Sequence, residues 1–362
     1  MLKKAIFVLL LGILAVLVTK HDVIFKKHVA PAANVILTPS SFPTPTQSAR
    51  KLIETKAIFV PYWSLGSNDL VIDQYDRVFY FGVKATFSGI NKSDDGYRKL
   101  PIFVEKTAGK KTYFTIQMLD DTANDAVLRN SKIQETISRE AIQLAKENSF
   151  SGIVLDLELK PTLDEKEAGR VNDFVHKLYT VAKSQDILLS LAMYGDTFYR
   201  NRPFDVSYLA KNSDEILIMA YDFHKSRGDP GPNFPLDGAT IYGYDFAQML
   251  TDYGKFVPPD KTTVVFGMYG YDWTVDEKQR PIKPAKALSL LDIKKQFIDS
   301  CQWKNCLVNR DSVSGETEVD YVEAPYQLHI VWFEDEESIR VKGEALRGKG
   351  IGSTAYWVYG YF

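Results

Sequence analysis

Ser151-Gly152-Ile153-Val154-Leu155-Asp156-Leu157-Glu158-Leu159 is the stretch on which the reading of this chain turns. Successive side chains of a strand point to opposite faces, so Ile153, Leu155, Leu157 and Leu159 form one face and Val154, Asp156 and Glu158 the other. A continuous leucine face belongs against helices. The opposite face carries two carboxylates whose Cα atoms lie ~7 Å apart on one edge of the strand. Two acids pointed into an interior are costly unless they serve chemistry, and close carboxylates push one pKa upward, which leaves a proton donor at neutral pH.

Working outward, similar short apolar runs recur along the chain. The candidate strands are 57–62, 77–83, 112–118, 152–159, 187–193, 215–221, 263–269 and 353–358, eight in all. Amphipathic segments such as 132–147 and 165–183 lie between them, with apolar positions returning at helical spacing. Strands separated by helices imply parallel pairing through right-handed crossovers, and eight units predict an α/β fold closed as a (β/α)8 TIM barrel. Residues at the C-terminal ends of such strands carry the chemistry. One connection is too long for a helix alone. Residues 274–328, between the seventh and eighth strands, read as a small inserted subdomain with a helical stretch at 287–299 and a hairpin turning at Ser314-Gly315. It holds Cys301 and Cys306, the only cysteines, which in an exported protein can oxidise into a local loop.

Lys3 and Lys4 precede the apolar run Ala5 to Val18, an export segment over residues 1–20 that reads as an uncleaved signal anchor or, alternatively, a cleaved signal peptide. Residues 21–52 include Pro31, Pro39, Pro43 and Pro45 among Ser and Thr and read as an extended linker, leaving 53–362 for the barrel. The expected placement is therefore the cell envelope, with the folded part outside and the membrane contacted through the N-terminal segment only, or secretion if that segment is removed. Lys and Arg total 44 against 46 Asp and Glu, so no basic footprint for nucleic acid exists. The five His show no metal-ligand spacing; neither metal nor cofactor is expected. The 13% aromatic content is either core or a ring-lined groove, and composition does not separate the two.

The segment 151–158 resembles the DGxDxDxE signature of glycoside hydrolase family 18, the chitinase-like group. Met219-Ala220-Tyr221-Asp222 is similar to the family's M-x-Y-D, Gly267-Met268-Tyr269-Gly270-Tyr271-Asp272-Trp273 to its seventh-strand motif, and 350–357 to its eighth, ending in Trp357. His329-Ile330-Val331-Trp332-Phe333-Glu334-Asp335 is similar to the spore cortex-lytic N-acetylglucosaminidase branch. The resemblance implies a retaining glycosidase of β-linked N-acetylglucosamine polymers, peptidoglycan fragments first and chitin-like glycans second, acting as a monomer. It implies Glu158 as general acid, with the substrate's own 2-acetamido carbonyl as nucleophile. Asp156 would hold the acetamido group and Tyr221 would donate to its carbonyl. Trp357 would form the floor under the sugar, with Asp222, Tyr269 and Trp273 as further substrate contacts. Two positions depart from the pattern: Ser151 stands where the family has Asp, and Val154 where it has Asp or Asn. Val154 removes a polar neighbour of Asp156, which predicts a more permanently charged Asp156 and reduced or shifted activity. A non-catalytic glycan-binding protein on the same fold is the alternative.

Overall fold

The computed structural model describes residues 52–66, 68–162 and 164–362, so the export segment and nearly all of the linker lie outside the described residues. No described helix is long and apolar enough to cross a membrane.

The strands in chain order are β1 (Thr55–Pro61), β2 (Arg77–Thr86), β3 (Gly89–Ile90), β4 (Lys111–Met118), β5 (Gly152–Leu157), β6 (Leu188–Tyr194) and β7 (Glu215–Ala220). They continue as β8 (Thr262–Gly267), β9 (Tyr269–Val275), β10 (Lys286–Ser289), β11 (Lys304–Arg310), β12 (Thr317–Glu323), β13 (Gln327–Phe333) and β14 (Ser353–Trp357). The order β1-β14-β8-β7-β6-β5-β4-β2, closed by β1 pairing with β2, is a parallel eight-stranded barrel. Each of the eight expected strands is found within a residue or two at its N-terminal end, because all combine apolar alternation with flanking turn residues. The crossover helices Asp95–Lys106, Ser131–Glu147, Glu165–Lys183, Phe246–Tyr253 and Glu336–Gly348 each begin after an Asp or Asn whose side chain accepts a backbone N–H of the first turn, satisfying donors that the helix itself cannot.

Alternation along the strands divides the core in two. Ile153, Leu155, Leu157 and Leu159 join the layer between barrel and helices. Val154, with Phe59, Phe79, Tyr113, Leu217, Val265 and Ala355, fills the barrel interior. Beneath that apolar layer Arg77 donates to both carboxylate oxygens of Glu215 at 2.8 Å and to Ser353 at 2.8 Å, while Ser190 donates to Glu215 at 2.8 Å. This polar plug closes the N-terminal end of the barrel, leaving its other end open for a site.

The insertion is wider than 274–328. An antiparallel sheet of order β10-β9-β13-β12-β11 spans Tyr269 to Phe333, beginning immediately after β8 and including the whole 329–333 motif. The Ser314-Gly315 turn joins β11 to β12 as expected, with Gly315 at φ 73° and Asp311 accepting from the backbone of Val313 and Ser314 at 2.7 and 2.8 Å. The expected helix 287–299 is broken: Lys286–Ser289 pairs with β9, and only then do Leu290–Ile293 and Lys294–Ile298 coil. Sheet pairing there overrides helical spacing. Cys301 and Cys306 form a disulfide.

Candidate active site

β5 ends at Leu157, but its ladder runs one residue further: the Glu158 N–H donates to the Met118 carbonyl at 2.9 Å, and Asn124 Nδ2 bridges the carbonyls of Met118 and Glu158. Glu158 therefore stands on a fixed strand end. Its Oε2 accepts from the Tyr194 hydroxyl at 2.8 Å. Tyr194 is itself braced from several sides: the Arg202 guanidinium lies 3.4 Å from its ring centre, and its carbonyl accepts from Tyr253 and Thr197. Arg202 is held by Asp196 at 2.9 Å and by the Leu159 carbonyl at 2.8 Å. Tyr194 was not singled out from sequence, although it ends the fifth barrel strand, the position at which barrel side chains reach the mouth.

Asp156 points into the interior, 6% exposed, with Oδ1 lacking a hydrogen-bond partner among the described residues. Burial, then the neighbouring Glu158, pushes its carboxyl well above the usual carboxylate range. This corrects the expectation of a permanently charged Asp156: with Val154 beneath it, the environment loses a polar group but gains apolar surface, and desolvation favours the neutral acid. Tyr221 follows β7, and burial, then Asp156, Asp222 and Glu158, pushes its hydroxyl well above the ordinary value, so it remains a donor.

Asp222 sits at φ 57°, a left-handed conformation that Asp tolerates better than most residues. Its N–H donates to Asn233 Oδ1 at 2.8 Å, and its Oδ1 accepts from the hydroxyls of Tyr269 and of Tyr271, the latter at 2.8 Å. Tyr269 is thus mostly buried and acts on Asp222 in this structure. Trp357 ends β14, with Phe59 and Phe81 presenting ring edges at 5.6 and 4.7 Å. Its peptide to Val358 is cis.

Trp273 does not belong with these residues. It is 0% exposed, packs with Val275, Ile330 and Trp332 in the inserted sheet and donates to the Gly228 carbonyl at 3.0 Å. The sequence motif that suggested a substrate contact crosses from β8 into β9, and the tryptophan falls on the covered face of the second strand.

From Glu158 a cleft of about 660 Å³ runs outward over Leu119, Tyr194, Arg202, His224 and Lys225. Asp156, Tyr221 and Trp357 are not part of that cleft's lining. Glu158 thus lines an open, basic-edged groove with the buried Asp156 on the same strand face, and a carboxyl there can reach an oxygen linking two groups. No cluster of His, Cys, Asp and Glu suited to a metal occurs among the described residues.

A family model for the glycosyl hydrolases family 18 matches residues 97–361. The chain is 22% identical over 264 residues to an uncharacterized glycosylase, YvbX, of Bacillus subtilis, covering 69% of this chain and 71% of that protein. It is 25% identical over 239 residues to a cortical fragment-lytic enzyme of Bacillus anthracis, covering 65% and 52%, and 26% identical over 250 residues to an endochitinase of Brugia malayi, covering 64% and 49%. The chain therefore spans about half the length of these last two. Among solved structures it is similar in fold to the spore cortex-lytic enzyme SleL of Bacillus cereus (TM-score 0.65, 19% identity, 85% of this chain and 71% of that one). It is similar also to a class V chitinase from Nicotiana tobaccum (TM-score 0.71, 16% identity, 84% and 94%).

Proposed function

Because this chain belongs to family 18 of the glycosyl hydrolases, and is thus a glycosidase, we propose that it is a retaining hydrolase of β-linked N-acetylglucosamine polymers, peptidoglycan fragments before chitin-like glycans. The observation that carries this reading is the common face of β5 and its end, which sets a buried Asp156 beside Glu158, whose carboxyl lines the open cleft. Trp357 floors the sugar on the non-leaving side. The substrate's acetamido oxygen attacks the anomeric carbon as the glycosidic C–O bond breaks, and Glu158 gives its proton to the departing oxygen. Tyr221 donates to the acetamido carbonyl and Asp156 receives its N–H. Water then opens the cyclic intermediate and returns a proton to Glu158, which regenerates the acid. The leaving sugar departs along the groove beside Tyr194 and Lys225. With residues 1–20 read as an export segment, the same proposal places the enzyme, as a monomer, in the cell envelope or outside it.

The test is a matched pair of polymers, one N-acetylated and one deacetylated to free amines. The purified chain is expected to release reducing ends from the first with retained configuration, and at least ~100-fold more slowly from the second, because an amine cannot act as the internal nucleophile. Equal rates on both would remove the acetamido group from the reaction.

The apolar Val154 on the interior face beside Asp156 favours one second reading, a glycan binder without turnover. Val154→Asn separates the two. In an enzyme it changes an existing rate by less than about tenfold; in a binder, the natural chain gives no product and the variant creates activity.

A further inference from the structure

The interior face of β4 and β5 holds three buried polar atoms without a hydrogen-bond partner among the described residues: Asp156 Oδ1, Gln117 Nε2 and Thr115 Oγ1. Unpaired buried polar groups destabilise a fold and call for a reason. Their positions supply one. Along β4, Tyr113 lies in the barrel interior while Phe114, Ile116 and Met118 pack toward the helices, so Thr115 and Gln117 face inward. The parallel register sets Gln117 opposite Asp156 and Thr115 opposite Val154. Partners in adjacent parallel strands point to the same face about 4.8 Å apart. On the other flank Asp156 is opposite Ala192, which offers no polar side chain. An acceptor without a donor thus stands beside a donor without an acceptor, and Gln117 is only 3% exposed.

We propose that Gln117 is a positioning residue for Asp156: a side-chain rotation lets its amide bond the carboxyl in one of two orientations, from which substrate entry releases it toward Glu158 and the acetamido group. An amide suits this task because it carries both a donor and an acceptor and can pair with either protonation state of the acid. The arrangement also accounts for Val154. The polar neighbour absent from the strand itself is provided by the next strand, so Asp156 keeps a second orientation. This inference rests on the reading that Asp156 holds the substrate's acetamido group.

The experiment is a steady-state comparison of the full chain with Gln117→Met, Val154→Asn and their combination on an N-acetylglucosamine oligomer. Gln117→Met is expected to lower kcat about tenfold to a hundredfold with KM changed by less than about twofold, the signature of a misplaced group and not of lost binding. Val154→Asn, which brings an amide to Asp156 from its own strand, is expected to restore most of that loss in the double variant. Gln117→Asn, one methylene short, serves the same comparison if the Met variant does not fold. An unchanged kcat in Gln117→Met, or a loss that Val154→Asn leaves untouched while stability is equal, overturns the inference with the proposed function intact. A wild-type chain without turnover on any N-acetylated glycan overturns both.

Discussion

Glu158→Gln is expected to lower turnover about a thousandfold, within the range that a positioned general acid contributes, and to leave the fold intact. Gln is nearly the same shape, and its carbonyl oxygen can still accept from Tyr194, whose hydroxyl now holds Glu158 Oε2 at 2.8 Å. The backbone contacts that fix the strand end, from the Glu158 N–H to Met118 and from Asn124 to the Glu158 carbonyl, do not involve the side chain. Unfolding midpoints of variant and parent should therefore agree closely, and oligosaccharide affinity should survive, because the amide removes only the transferable proton. Initial rates on an N-acetylglucosamine oligomer, measured beside denaturation curves, check both halves. Equal rates would take Glu158 out of the mechanism, and a rate loss matched by lost stability would mean that the residue is a scaffold.

The strand that decides the fold is also the one that decides the site, and both were legible in one period-two pattern. Val154 inside and the leucines outside follow from alternation alone, and so does the common face of Asp156 and Glu158. What alternation does not carry is the partner on the next strand. Gln117 meets Asp156 only because the barrel register sets them side by side, and Tyr194 meets Glu158 across 36 residues of chain. Asn233 offers no local signal either: it matters because its amide accepts from Asp222 and donates to the carbonyls of Gly267 and Tyr269. The misplacement of Trp273 has the opposite origin. Tyr269, Tyr271 and Trp273 form a continuous-looking aromatic motif, yet a new antiparallel sheet starts at Tyr269 and buries the tryptophan against Ile330 and Trp332.

Lys342→Met is expected to cost about 3–5 kcal/mol of stability near neutral pH, the price of leaving buried carboxyls without their cation. The Lys342 ammonium is completely buried and donates to Glu316 at 2.8 Å and to Glu334 at 2.6 Å, both equally buried. Glu316 also accepts the backbone N–H groups of Asn233 and Phe234 at 2.6 and 2.8 Å. The cation thus joins the helix Glu336–Gly348, the inserted sheet and the loop whose Asn233 anchors Asp222. Burial pushes Glu334 up to about 8 from an ordinary 4.5, against the opposing charge of Lys342. A carboxyl raised in the fold binds its proton more tightly there than in the unfolded chain. Its stabilising contribution is therefore full below about 4.5 and is lost as pH rises through about 8. Without Lys342 its opposing charge is gone, Glu334 is driven further toward the neutral form, and a proton takes over part of the ammonium's task. The deficit should accordingly be largest near about pH 8 and smaller near about pH 5, as read from denaturant midpoints. Adding Glu316→Gln and Glu334→Gln to Lys342→Met should recover part of the loss at the higher pH by removing the unpaired charges. Activity of Lys342→Met at a permissive temperature should fall as well, because the Glu316 carboxylate that orients the backbone of the Asn233 loop loses its cation. A deficit under about 1 kcal/mol, or one that acidification enlarges, would show that the buried cation is not what ties the insertion to the barrel.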